Sequence, residues 1–287
     1  MKTKTNKAFS LIELSIVILI IGILVAGVTQ GSRLVGQMKL ASARSLTQSS
    51  PVNSIKGLSL WLEPTMEESF LTADAEDGKE ITVWNDINPQ TTSTLTATAV
   101  GGATGLKYSV NGINNLPALE FEGTKALSSP TPPVTNYSST VFIVYKVTGS
   151  KPVGTLKYIY SWNSSLIRGD VGGVNGARYN GTSTNYAFTF GDVELVPEIA
   201  TTTLTGGAST DILITYINGV KTLNIAGAAL GAVAITAPSP FYIGNRTIGQ
   251  YHTGFISEVI AFDGVLKTSD RKAVEAYLGK KYGIKVS

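Results

Sequence analysis

The stretch that most constrains this chain is Phe9 to Val28, FSLIELSIVILIIGILVAGV. It is apolar throughout except for Ser10, Glu13 and Ser15, and Glu13 is its only charge. As a helix rising about 1.5 Å per residue it spans roughly 30 Å, the hydrocarbon thickness of a bilayer. Lys2, Lys4 and Lys7 precede it, and no basic residue lies inside it. A carboxylate within a bilayer is costly, so a glutamate kept here implies a use.

Two plain readings compete for the stretch. A secretory signal peptide also has a basic start, but its apolar centre runs about 7–15 residues and ends in a small-residue cleavage site. Here the run is longer and carries a glutamate at its start, although Val25 to Gly27 passes as such a site. A simple single-span anchor accounts for the length and gives Glu13 no role.

A third reading comes from resemblance. Lys7-Ala8-Phe9-Ser10-Leu11-Ile12-Glu13-Leu14, followed by SIVILIIGILVAGV, resembles the amino-terminal signature of type IV pilins and the related pseudopilins. The resemblance implies that a prepilin peptidase cuts between Ala8 and Phe9 on the cytoplasmic side and methylates the new amino terminus. The family has glycine where this chain has Ala8. Glu13 then matches the family's glutamate near the new terminus, which serves assembly. Physical chemistry supports that role, because a Phe9 ammonium inside an apolar bundle needs a neighbouring subunit's carboxylate to neutralise it.

The implied partners are the prepilin peptidase/methyltransferase, other pilin subunits, the inner-membrane assembly platform and the inner membrane itself. The implied location is the inner membrane as a single-pass precursor, then an extracellular pilus or a periplasmic pseudopilus. The basic residues on either side of the span give no clear inside–outside contrast, so the cytoplasmic amino terminus rests on the resemblance. The domains expected are a leader (1–8), a membrane and assembly helix (9–46), a polar linker (47–54) and a head (55–287). Thr29 to Leu46 reads as an amphipathic extension of the same helix, and TQSSPVNS at 47–54 as the linker.

Beyond the helix, 287 residues leave enough chain for one sizeable core. There are no cysteines, which excludes disulfides and thiol chemistry. With a net charge of +3 and no basic run interleaved with aromatics, nothing suggests a nucleic-acid partner, and none is expected.

From Leu58 onward the pattern is a succession of short β-rich runs: LSLWL, ITVW, PALEFE, TVFIVYKV, LKYIYSW, YAFTF, DILITYI, KTLNI, FYIG and FISEVIAF. Gly, Asn, Ser and Thr clusters separate them. Asn218-Gly219 between Ile217 and Val220 predicts a two-residue hairpin. Thr268 to Lys281 has helical spacing, with Thr268 or Ser269 as amino-terminal cap, Asp270 in the first turn and Gly283 as terminator. The fold expected is mainly β: a long apolar helix, then an antiparallel β-sandwich of jelly-roll type with a short carboxy-terminal helix.

The order of segments resembles concanavalin A-like, laminin-G-type jelly rolls of bacterial surface proteins. The matching pieces are Gly57-Leu58-Ser59-Leu60-Trp61-Leu62, Val83-Trp84-Asn85-Asp86 and Leu116-Pro117-Ala118-Leu119-Glu120-Phe121. Three more lie near the end: Phe241 to Asn245, Gly254 to Phe262 and Glu275 to Gly283. That fold hosts lectins, hydrolases and structural modules, so it does not select a function.

Several residues invite a chemical reading. Glu120 and Glu122 share a strand face, as paired carboxylates of jelly-roll glycosidases do, but a third acid is missing and a solvated strand face accounts for them better. Glu67, Glu68, Asp74, Glu76, Asp77 and Glu80 offer hard oxygens to calcium without the spacing of an EF-hand, and a charged loop accounts for them more simply. His252 is the only histidine, which precludes a two-histidine metal site, and it reads as a loop or strand-edge residue.

Trp61, Trp84 and Trp162, with Tyr158 and Tyr160, read as core. Arg168, Arg178, Tyr179 and Tyr186, in a Gly/Asn/Ser-rich region, read as a candidate glycan-binding rim. The functional expectation is a non-enzymatic, pilin-like filament subunit without a cofactor, either a minor or adhesive pilin or a secretion pseudopilin. The alternatives are a membrane-anchored lectin-like protein that forms no filament, and a jelly-roll hydrolase.

Overall fold

Leu, Ile, Val and Ala without an intervening proline form α1 (Leu11–Gln48) in the computed structural model of the chain. The structure describes residues 11–71, 74–91, 95–102, 106–130, 138–148, 158–162, 165–171, 174–179, 186–187, 195–205, 212–226, 240–245 and 251–287. Along 165–187 and at 224–226 it describes the backbone alone. The chain divides into two units, Met1–Ala41 and Ser42–Ser287. In the first, residues 11–30 are all exposed, with Leu11 at 85% and Val28 at 71%. The hydroxyls in this segment are satisfied by the helix itself. Ser15 Oγ donates to the Ile12 carbonyl (2.8 Å), and Thr29 Oγ1 to that of Val25 (2.9 Å). The helix is long and apolar enough to cross a membrane.

The second unit is built from strands β1 (Leu58–Leu62), β2 (Val83–Trp84), β3 (Ala97–Gly101), β4 (Leu106–Ile113), β5 (Leu116–Glu122), β6 (Lys125–Ser129), β7 (Ser139–Val147) and β8 (Tyr158–Trp162). It continues through β9 (Ser165–Val171), β10 (Val174–Tyr179), β11 (Tyr186–Ala187), β12 (Glu198–Thr205), β13 (Ile212–Ile217), β14 (Val220–Ala226), β15 (Phe241–Ile243) and β16 (Thr253–Asp263), and ends with α2 (Thr268–Tyr282). One sheet has the order β14-β13-β12-β7-β16-β5-β4, with β1 also on β16. The other has the order β11-β10-β9-β8-β15-β6-β3-β2. The expected antiparallel sandwich with a carboxy-terminal helix is what forms.

Period-two alternation sorts side chains into two cores. Leu60 and Leu62 of β1, and Val141, Ile143 and Tyr145 of β7, meet Leu127, Tyr160 and Phe241 of the other sheet. Trp61, Phe142 and Val144 face the opposite way, onto Val274, Leu278 and Tyr282 of α2, with Ala43 and Val52 in the same cluster. The first sheet is therefore buried on both faces where α2 covers it. A bulge in β16 makes this arrangement work. Its register shifts between Ile256 and Val259, so Ile256, Val259 and Ala261 all enter the inter-sheet core, while Ile260 and Phe262 enter the helix-side core.

Turn chemistry follows the sequence closely. Asn218 (φ 48) and Gly219 (φ 80) join β13 to β14, with Ile217 opposite Val220. Asn114 (φ 48) and Asn115 (φ 61) make the same kind of turn between β4 and β5, and Asn114 Nδ2 donates to the Tyr282 carbonyl at 2.7 Å. Gly283 ends α2 in the left-handed region (φ 64). The amino-terminal cap differs from expectation. Lys267 occupies the cap position and no side chain caps the helix, while Ser269 Oγ lies 3.2 Å from Asp270 Oδ1 instead. In the 47–54 stretch, Thr47 and Val52 are buried and Pro51–Asn53 forms a 3₁₀ turn.

The last turn of α1, the exit of β1, β16 and α2 converge on Lys281. Its Nζ donates to Thr47 Oγ1 (2.7 Å), to Glu258 Oε2 (2.8 Å) and to Glu63 Oε1. The side chains of Lys281, Glu63 and Glu258 are 0% exposed. Glu258 Oε1 also accepts from Trp61 Nε1 and Tyr277 OH, each at 2.8 Å, and Oε2 from Tyr282 OH at 3.0 Å. Burial pushes the Glu258 carboxyl above its ordinary 4.5, against the pull of Lys281. It likewise holds the Tyr277 and Tyr282 phenols far up.

Lys281→Met removes the only cation from this set and should destabilise the head by about 3–5 kcal/mol in chemical denaturation. The loss should be smallest in acid. A carboxyl whose folded pKa lies above its unfolded value adds stability that is complete below the unfolded pKa and is lost as pH rises through the folded one. Urea midpoints of variant and parent, measured on both sides of pH 4.5, check this.

Candidate functional site

The candidate residues of the apolar stretch are Ala8, Phe9 and Glu13. Glu13 stands in the first turn of the helix and is exposed. It is the only charged side chain from Leu11 to Ser32, so it is the only one an apolar environment would have to accommodate. Ala8 and Phe9, the expected cleavage and methylation positions, lie outside the described residues. In sequence Glu13 stands four residues after Phe9.

In the second unit, the end of α1 is held by charge as well as packing. Arg44 Nε donates to the Thr65 carbonyl (2.7 Å) and its Nη1 pairs with Glu67 Oε1 (2.8 Å). Thr47 Oγ1 contacts Tyr277 OH at 3.2 Å in addition to Lys281.

The paired carboxylates on β5 do share the outer face, as period two requires, since Leu119 and Phe121 between and beside them are in the core. Glu122 Oε1 is engaged by Lys107 Nζ at 2.7 Å across the β4–β5 pair. Glu120 stands opposite Lys107 and Phe255 in the register. Lys146 lies on the same side, its Nζ 4.5 Å over the Phe255 ring and donating to the Gly112 carbonyl at 2.6 Å. Burial lowers its pKa and Glu120 partly restores it. This is a charge-balanced strand face.

The acidic stretch disperses. Glu67 pairs with Arg44, Glu76 with Lys79 at 3.7 Å, and Glu80 with Lys125 at 3.4 Å. Asp77 Oδ1 accepts the Val110 N–H at 3.0 Å. Among the described residues no group of three or more acids and histidines is gathered to hold a metal. Asp86 serves the fold instead, because its Oδ1 accepts the N–H groups of Trp61 (2.8 Å) and Asn88 (3.0 Å), and burial still lifts its pKa against them. Trp61, Trp84, Trp162, Tyr158 and Tyr160 are all buried, as their alternation implied. His252 lies in the loop before β16 but is buried (1% exposed), edge-on to Phe121 with ring centroids 5.9 Å apart.

The candidate rim residues lie on β9, β10 and β11. Register puts Arg168 opposite Gly176, Leu166 opposite Arg178, Ser165 opposite Tyr179 and Tyr186 opposite Ala177. Strand parity therefore assigns Arg168 and Arg178 to one face of the sheet, and Tyr179 and Tyr186 to the other. The Glu63–Lys281–Glu258 group was not singled out from the sequence. Its one local signal is Glu258 inside the otherwise apolar run FISEVIAF.

Comparison with known proteins gives two results. Residues 3–29 match the Prokaryotic N-terminal methylation motif, the type IV prepilin signature. No curated protein matches the chain by sequence.

Among solved structures, the head is similar to domain 4 of AbnA, a GH43 extracellular arabinanase from Geobacillus stearothermophilus solved with arabinotriose. The TM-score is 0.51 at 14% identity, covering 76% of this chain and 97% of that one. It is also similar to Trypanosoma rangeli sialidase, with a TM-score of 0.54 at 16% identity, covering 81% of this chain but only 34% of the sialidase. The binding domain of Paraclostridial Mosquitocidal Protein 1 aligns with a TM-score of 0.52 at 12% identity, covering 79% and 52%. At these identities the likeness is one of fold alone. The chain thus carries a type IV prepilin methylation motif at residues 3–29, overlapping an apolar helix that fits a membrane-anchored precursor, together with a β-sandwich head.

Proposed function

We infer that this chain is a type IV pilin-like filament subunit, a minor or adhesive pilin or a secretion pseudopilin, and that its β-sandwich is a non-catalytic head displayed outside the inner membrane. One observation carries the reading: the methylation motif coincides with a helix that exposes apolar surface on every side and bears a single carboxylate in its first turn. Such a surface needs lipid before assembly and neighbouring helices after it. Prepilin peptidase would cut between Ala8 and Phe9 and methylate Phe9. The Glu13 carboxylate would then meet the Phe9 ammonium of an adjacent subunit and set its axial register. The partners are that peptidase/methyltransferase, other pilins and the assembly platform. The reading requires no cofactor.

The head also supports a second, compatible reading as a carbohydrate-binding module. The favouring observation is that one structure of the same fold is in complex with arabinotriose and another is the binding domain of a mosquitocidal protein. The pairing of Glu122 with Lys107 favours binding over glycoside hydrolysis.

Intact mass and amino-terminal sequencing of the chain from its native membrane fraction should give methylated Phe9 as the first residue. A start near residue 28 would mean an ordinary exported domain, and an uncut Met1 a simple anchor; either overturns the filament reading. Glu13→Ala should leave cleavage intact and lower the yield of sheared filaments on the order of 100-fold, the size of about 3 kcal/mol for an unpaired buried charge. For the head, glycan-array binding should fall in either the Arg168→Ala/Arg178→Ala pair or the Tyr179→Ala/Tyr186→Ala pair, whichever face holds the site. Binding by neither parent nor variants rules the lectin reading out.

A further inference from the structure

One buried ion group in the head has no part in the filament reading. Lys281 Nζ is hydrogen-bonded to carboxylates from two elements, Glu63 in the segment leaving β1 and Glu258 on β16. Trp61, Tyr277 and Tyr282 donate to Glu258, and the two tyrosine rings flank the Lys281 nitrogen. Two carboxylates facing one ammonium in a dry pocket leave one charge uncompensated, which is strongly unfavourable. One extra proton makes the set neutral, and burial shifts the Glu258 carboxyl in the direction that takes it. Among the neutral forms is one with a free Lys281 amine beside two protonated carboxyls. An amine and a carboxylic acid then lie in contact where water is excluded.

The two glutamates are held differently, and the difference assigns their roles. Glu63 Oε2 accepts the backbone N–H groups of Thr65 and Met66, each at 2.9 Å. Fixed donors of this kind polarise a carbonyl and stabilise the charge that builds on its oxygen when the carbon is attacked. Its Oε1 accepts from Thr65 Oγ1 at 2.6 Å and from Lys281. Glu258 is held by side chains alone and touches the Lys281 nitrogen, the position of a group that moves protons.

We propose that Lys281 and Glu63 condense within the folded head to an isopeptide bond between Nζ and Cδ, with Glu258 as proton carrier. The amine lone pair attacks Glu63 Cδ, and charge collects on Oε2 under the Thr65 and Met66 N–H groups. Glu258 gives its proton to Oε1, the Cδ–Oε1 bond breaks and one water leaves. The surplus proton on Nζ returns to Glu258. One C–N bond forms, one C–O bond breaks, and nothing is oxidised or reduced. The product carries neither the ammonium nor the Glu63 carboxylate, so the buried charge is gone, and the dry pocket protects the amide from hydrolysis. The bond closes residues 63 to 281 into a ring at the point where Thr47 ends the helical stem.

Mass spectrometry of the full chain purified from membranes tests this directly. The parent should be lighter, by one water molecule, than the mass of its processed sequence. Proteolysis should release a branched peptide joining the Glu63 and Lys281 segments. Glu258→Gln, with unchanged circular dichroism, should recover the full sequence mass. A parent at full sequence mass, with the two peptides recovered separately, overturns the bond. A bond formed to full yield in Glu258→Gln overturns the role of Glu258.

Discussion

Lys281 places one positive charge between two carboxylates, with the Tyr277 and Tyr282 rings 5.6 and 5.2 Å from its nitrogen, and four separate elements meet on it. An ion set this deep contributes little through attraction alone, because desolvating the charges costs as much as pairing them returns. What it contributes is geometry. Until Lys281 and Glu63 condense, any shift of β1 against β16, of α2 along the sheet, or of the last turn of α1 would strand a buried charge. Packing alone would not impose that demand, since apolar contacts among Trp61, Phe142, Ile260 and Leu278 tolerate small slides. The bulge in β16 serves the same end by aiming Glu258 away from the inter-sheet core.

The sequence was legible where information is local. The apolar run, the Asn218-Gly219 turn and Gly283 each act through their own backbone or their immediate neighbours, and each does what its chemistry dictates. Strands with apolar alternation were equally plain. Strands that rely on threonine or on broken patterns were not. β12 reads EIATTTLT, yet Thr201, Thr202 and Thr203 are buried between β7 and β13 because threonine is β-branched and fits a pleated surface. β4, LKYSVNGI, breaks its alternation at Asn111-Gly112, where a Cβ on Gly112 would stand 2.5 Å from Ala118 Cβ. The cap of α2 was missed because Leu266 N–H is taken by Thr140 Oγ1 of a distant strand, which sets how the chain enters the helix.

The Lys281 group was illegible for a different reason. Its members are separated by 218 and 23 residues, so no window of sequence holds them together. A glutamate in an apolar strand signals that a cation must come from somewhere, and the signal stops there. The chain's carboxylates make the general point. Glu13 sits in an apolar helix surface, Glu122 on a wet strand face beside Lys107, and Glu63 and Glu258 in a dry pocket. Residue type is the same in all four, and the dielectric and the partner decide what each does.

That contrast bears on how a filament would load its head. Tension entering through α1 reaches the head at residues 42–63, before any of the long strands. β1 runs antiparallel to β16, with Leu58 opposite Phe262 and Leu62 opposite Val259, so a pull on the start of β1 shears several ladder bonds at once. Upstream of β1, the pull meets Arg44 on Thr65 and Glu67, and Thr47 on Lys281 and Tyr277. These contacts hand the load to β16 and to α2, which packs on the sheet's outer face. The central place of β16, paired to β7 along its length and shared by β5 and β1 on its other edge, then spreads the load through the sheet. A head whose first and last elements meet at the stem resists extension at the point where extension begins.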